Sequence, residues 1–202
     1  MQLKLELFTF LFLSLGPFKI IGPFVKVTRN ATPALTRQIA IRATLYSSAA
    51  ILIAATLGEQ ILSKYSIPLP ILALSAGIIL FLVALLEVIK QFEAPIARTD
   101  SDVAPTLNMA LNPIAFPTIV TPYGIAAGIV FLAICPDMNC RLRVIAILAG
   151  IMLLNLIVML IAKHVLKPLA LILPILGAVL GIVQVALGLL IIHSSIKELL
   201  KI

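Results

Sequence analysis

The sequence predicts an all-α membrane protein: six transmembrane helices in two inverted three-helix repeats, with helices 1 and 4 discontinuous. Three observations carry that prediction. The 202 residues are 62% hydrophobic and only 11% charged, against about half apolar and a quarter charged for a soluble domain. The apolar residues fall into six long runs, each close to the roughly 20 residues that span a bilayer as a helix. A set of proline and glycine motifs recurs at an offset near 100 residues.

The runs cover residues 3–27, 39–62, 69–89, 107–134, 142–165 and 169–192. The first begins almost at Met1, exceeds the length of a secretory signal core and lacks a small-residue cleavage site, so it is expected to be the first span. None alternates apolar and polar residues as a half-buried strand does. The longest polar stretch, 90–105, contains Glu93, Arg98, Asp100 and Asp102. It divides the chain into a first repeat, 1–92, a connecting loop, 93–106, and a second repeat, 107–202.

Pro70-Ile71-Leu72 followed by Gly77-Ile78 returns as Pro174-Ile175-Leu176 followed by Gly181-Ile182. Gly16-Pro17 and Gly22-Pro23-Phe24 correspond to Phe116-Pro117 and Thr121-Pro122-Tyr123. Each half holds three spans, an odd number, so the second must enter from the opposite face. Such inverted repeats are a frequent transporter plan, with the site where the halves meet near the midplane. A duplicated helical scaffold that transports nothing is the alternative.

The net charge of +7 reads as topology signal and headgroup contact, because the basic residues sit at the ends of the runs. No basic patch interleaves with aromatics, so nucleic acid is not an expected partner. The face bearing both termini would hold Lys4, Lys64, Arg141, Arg143, Lys197 and Lys201. The other would hold Lys26, Arg29, Arg37, Arg42, Lys90, Arg98, Lys163 and Lys167. The richer face is expected to be cytoplasmic, which makes this a multi-pass protein of the cell membrane with extracytoplasmic termini. Cys135 and Cys140 then lie in an outward loop where a disulfide survives; two free thiols are the alternative. With no adjacent histidine they make a poor metal site.

Proline and glycine inside the spans are the strongest local anomaly. Proline removes a backbone N–H and crowds the preceding turn. Gly16-Pro17 and Gly22-Pro23 interrupt the first helix. Pro113, Pro117 and Pro122, with Gly124 just after, interrupt the fourth. Two such breaks within one or two turns are expected to unwind the helix, which a membrane tolerates only where protein or a water-filled cavity surrounds the backbone. The exposed half-helix N-termini then point N–H groups at an anionic group. Two ordinary kinks are the bland reading. Lys19 lies between the first pair of breaks, deep enough to be a functional candidate by default, with snorkelling as the alternative. Asn112 and Thr121 flank the fourth-helix break and can donate to a ligand. Asn155 and Gln184 are expected to bond between helices. Glu87 is the acidic side chain placed for ion coupling, or else a boundary carboxylate. No nucleophile–base pair, metal motif or phosphate loop appears, so neither catalysis nor a cofactor is expected.

Pro113-Ile-Ala-Phe-Pro117 followed by Thr121-Pro122-Tyr123-Gly124-Ile125 resembles the P-L-A-I-P-L-I-A-G-P-G-A-I segment of the MarC family, also called the neutral amino acid transporter family. Ser75-Ala76-Gly77-Ile-Ile-Leu-Phe-Leu-Val-Ala-Leu is similar to its A-G-G-I-L-L-F-L-I-A-L stretch. Gly181-Ile-Val-Gln184 falls at a related glycine-led segment, Gly16-Pro17 at the family's Asn-Pro or Asp-Pro, and Pro23 at its second proline. Gly16, Lys19, Ile20, Thr121 and Tyr123 depart from that pattern, all at the breaks. The resemblance implies secondary transport of small neutral amino acids such as glycine or alanine.

The expected function is therefore alternating-access transport of a small neutral amino acid. Gly16, Pro17, Lys19, Gly22, Pro23, Asn112, Pro113, Pro117, Thr121, Pro122 and Gly124 would frame the substrate. The lipid bilayer and, as an open option, further copies of the chain complete the partners. A non-transporting scaffold, or a lipid- or partner-binding protein, is the competing class. No ring of charge or filter motif supports a channel.

Overall fold

The computed structural model describes residues 11–12, 15–92, 105–135, 137–169 and 172–200. The start of the first predicted span and most of the connecting loop lie outside the described residues. Within them every regular element is helical: α1 (Phe18–Val27), α2 (Pro33–Lys64), α3 (Leu69–Phe92), α4 (Pro122–Ala133), α5 (Met138–Leu169) and α6 (Ile172–Leu199). A 3₁₀ turn, Leu107–Ala110, and a wide irregular turn, Leu111–Ile119, precede α4.

Pro33–Leu62, Leu69–Ile89, Met138–Lys163 and Gly177–Leu199 are long and apolar enough to cross a membrane. Leu107–Ile119 with Pro122–Ala133, bent by 64° at its break, makes a fifth crossing if counted as one span. Helices α2 and α5 outrun the apolar stretches 39–62 and 142–165 at both ends, and α6 outruns 169–192 at its C-terminal end. The added turns carry polar residues such as Arg37, Lys64 and Arg141.

Local chemistry explains the boundaries. Thr32 and Thr121 each stand before a proline. Each hydroxyl accepts a backbone N–H three residues on, from Leu35 and Gly124 respectively, while proline fills the first helical position, where no N–H is needed. At the end of α2 the Ile67 N–H reaches the Leu62 carbonyl at 3.0 Å, and Ser66 turns left-handed at φ 51°. This is the usual helix-ending geometry, here built without glycine. At the end of α1 and inside α2 and α3, the hydroxyls of Thr28, Thr44, Thr56 and Ser75 donate to carbonyls four residues back. A hydroxyl closed onto its own helix needs no water.

Packing is antiparallel. Arg141, early in α5, pairs with Glu59, late in α2; Lys163, late in α5, donates to the Ala31 carbonyl just before α2. The most extensive interface joins α3 to α6. A Cβ placed on Gly188 would sit 2.8 Å from the Phe81 backbone nitrogen, and one on Gly181 would sit 2.8 Å from Val88. Absent side chains let the two backbones approach, as in membrane helix pairs generally. Large apolar residues such as Leu45, Ile53, Leu82, Leu153, Ile175 and Ile182 face outward. The buried core gathers Leu15, Ile20, Phe24, Ile51, Ile114, Ile119, Leu148 and Ile151.

One expectation needs correction. The backbone breaks at Gly16, but Gly22-Pro23 makes no second break; α1 runs through both residues. Pro23 removes only the bond its N–H would have made to the Lys19 carbonyl. Beyond it, fully buried Phe24 anchors the helix, and its carbonyl accepts from both the N–H and the hydroxyl of Thr28.

Candidate functional site

The two interrupted segments meet. The first interruption is at Leu15-Gly16-Pro17, where a Cβ on Gly16 would overlap the Phe12 carbonyl oxygen. The second ends at Val120-Thr121, both in extended conformation. A Cβ on Gly124 would lie 2.5 Å from Leu15 Cδ2 and 2.9 Å from Thr121 Oγ1. The glycine thus lets the start of α4 sit against the end of the first interrupted turn while Thr121 caps it.

The fourth-helix segment is irregular over a longer stretch. Asn112 and Phe116 have non-helical backbone angles, and the Asn112–Pro113 and Phe116–Pro117 peptides are cis. Thr118 donates to the Pro113 carbonyl at 2.8 Å, and the Val120 N–H reaches the Ala115 carbonyl at 2.9 Å. These contacts satisfy part of the backbone that the prolines release, which a span requires.

Two polar groups join the breaks to their neighbours. The Asn155 side chain of α5 donates from Nδ2 to the Leu15 carbonyl at 2.8 Å. That carbonyl ends a helical turn, where intrahelical partners run out. Asn155 is buried, and its Oδ1 has no protein partner. Lys19 of α1 donates from Nζ to the hydroxyl of Tyr123, lies 5.1 Å from the centroid of the same ring and pairs with Glu87 Oε2 of α3 at 3.7 Å. A cation over an aromatic face is attracted by the ring quadrupole. Tyr123 is 1% exposed, among the largest fully buried side chains.

Of the residues expected to frame a site, the structure brings Gly16, Pro17, Lys19, Thr121 and Gly124 to this junction. Gly22, Pro23, Asn112, Pro117 and Pro122 are exposed, and Pro113 is half-buried. Glu87, near the end of its span and nearly half exposed, pairs with Lys19. Cys135 and Cys140 form a disulfide in the α4–α5 connection. Among the described residues, no group of three or more His, Cys, Asp or Glu is arranged to hold a metal. Tyr123 is the participant that sequence reasoning missed. Its signal was there: a deep lysine needs a polar partner, and Tyr123 follows the Thr-Pro step that ends the fourth-helix break.

The family model described as MarC family integral membrane protein matches residues 1–200. The chain belongs to the MarC family. This MarC protein is also 31% identical, over 139 residues, to the UPF0056 membrane protein MJ1677 of Methanocaldococcus jannaschii, a match covering 68% of each chain. No solved structure matches it. As an integral, multi-pass MarC protein it has a natural solvent for its outward leucines and isoleucines. Gly16, Lys19, Thr121 and Tyr123, four of the departures from the family pattern noted in the sequence, stand at the junction of its two breaks.

Proposed function

We propose that this MarC protein is a secondary transporter that moves a small neutral amino acid of the glycine or alanine kind by alternating access. The observation that carries the reading is the meeting of two interrupted helical segments, seen in the contact of Leu15 with Gly124 and of Lys19 with Tyr123. Irregular backbone surrounded by helices is the usual setting of a transport site. The half-helices α1 and α4 begin at Phe18 and Pro122. Their N-terminal ends carry partial positive charge that favours a substrate carboxylate.

Two inverted three-helix repeats are part of the same proposal. Gly77 and Gly181 are repeat equivalents. Gly77 packs near Gly188 and Ile191 of α6, while Gly181 packs against Val88 of α3. A two-fold relation between antiparallel halves produces such reciprocal contacts. The six-span count and extracytoplasmic termini rest on the apolar runs and the Lys/Arg asymmetry.

The test is binding and proteoliposome uptake of glycine and alanine by the purified protein, beside Pro122→Ala. Removing the proline that opens α4 should lower uptake by about tenfold or more, as misplacement of positioning groups does. Absence of binding and uptake across the small amino acids would reject the substrate assignment. A lipid-binding role is the second reading. It is favoured by an apolar groove of about 230 Å³ between α2 and α5, lined by Thr44, Ser48, Leu148 and Met152 among others. Copurified lipid displaced by bulky substitutions at Ala149, which also lines that groove, would support it.

A further inference from the structure

The geometry points to a carboxylate subsite at Lys19 and Tyr123 that the protein's own Glu87 occupies, so that a substrate carboxylate enters by displacing Glu87. This rests on the transporter reading and adds the side chains that would hold the substrate carboxylate beside the helix N-termini.

Lys19 is the cation at the junction, and its side chain is about one-fifth exposed. Glu87 lies two residues from the end of its predicted span, with nearly half of its side chain exposed. The buried partner of Lys19 is Tyr123, whose hydroxyl and ring both hold the ammonium group. The exposed partner is Glu87, at the looser distance of 3.7 Å. The lysine is thus fixed from the buried side and shared from the open side. A carboxylate already fits there, so another of similar size fits the same place. The N-terminus of α1, with no side-chain cap, begins one residue before Lys19. It adds partial positive charge to the same position.

Tyr123 is the titratable residue of α4, and Lys19 and Lys26 are those of α1. Helix α6 passes Gly181 against Val88, and its titratable residues, His193, Lys197 and Glu198, come after Gly188, which meets Phe81. Because Lys19–Glu87 ties α1 to α3, exchanging Glu87 for a free carboxylate also unties those helices. Occupancy of the subsite and opening of that side become one event.

An internal competitor lowers apparent affinity by the fraction of time the site is free. If Glu87 holds Lys19 nine-tenths of the time, removing it tightens carboxylate binding about tenfold. The experiment titrates the purified protein in detergent with acetate, glycine, alanine, methylammonium and inorganic phosphate. The readout is intrinsic tyrosine emission, which no tryptophan obscures. Glu87→Gln should bind acetate and glycine about tenfold more tightly than wild type, Lys19→Met should bind neither, and methylammonium should give no response in any of the three. The exchanged pair Lys19→Glu with Glu87→Lys keeps the bridge between α1 and α3 but moves the cation off Tyr123, and it should fold without binding. Unchanged or weaker carboxylate binding in Glu87→Gln overturns the displacement and leaves the transporter reading standing. An equal response to phosphate overturns the carboxylate class. Binding by Glu87→Gln alone supports displacement. No binding of acetate, glycine or alanine by either wild type or Glu87→Gln overturns both proposals.

Discussion

Asn155 shows how a single side chain secures a broken span. Its Nδ2 satisfies the Leu15 carbonyl, which ends a turn and would otherwise face apolar surroundings. Asn155→Leu should therefore cost about 1–3 kcal/mol, the usual penalty for leaving a buried acceptor unpaired. Thermal unfolding in detergent reads the loss as a lowered midpoint. Ser66 offers the opposite prediction. It holds φ 51°, a region that costs a residue with a Cβ about 1–2 kcal/mol. Ser66→Gly should raise the midpoint by a comparable free energy in the same assay. Sequence reading placed Asn155 correctly as a bond between helices. It missed Tyr123, because the partner of a deep lysine is chosen by which helix passes beside it.

Between elements, the interface of α3 and α6 depends on small residues at the contact. A Cβ on Gly188 would meet the Phe81 backbone at 2.8 to 2.9 Å, and backbone cannot swing aside, whereas Gly150 has open space around it. Gly188→Ala should destabilise the protein by about 1–3 kcal/mol, the range for overpacked contacts. Gly150→Ala should be neutral, or stabilising by up to about 1 kcal/mol through helix propensity. Denaturation of the two variants side by side checks the contrast. The interruption before α4 was legible because Pro113, Pro117 and Pro122 crowd one short stretch. The continuity of α1 through Pro23 was not, since a proline's effect depends on anchors such as Phe24 and Thr28.

On the scale of the whole molecule, two sets of contacts mark opposite ends of the α2–α5 pair. Arg141–Glu59 and the Cys135–Cys140 disulfide lie towards one end, and Lys163 with Ala31 marks the other. The chain has two cysteines, so a membrane-impermeant maleimide reports on both bridge and orientation. In intact cells it should label neither thiol before reduction and both after it, from outside. Labelling confined to inverted vesicles would reverse the proposed orientation.

Composition and the spacing of apolar runs determined by themselves that the chain is helical and crosses a membrane, because a bilayer demands long, internally bonded apolar segments wherever they pack. The motif pattern likewise located an interruption at Gly16-Pro17 and another before α4, where prolines crowd one short stretch, but not that α1 runs on through Pro23. Only the tertiary structure decided that the interruptions touch, that Asn155 serves one of them, and that Lys19 lies between Tyr123 and Glu87. Those contacts join residues 68 to 140 positions apart. They depend on which helix faces which, a choice made by the close approach of small residues and the burial of a few large ones.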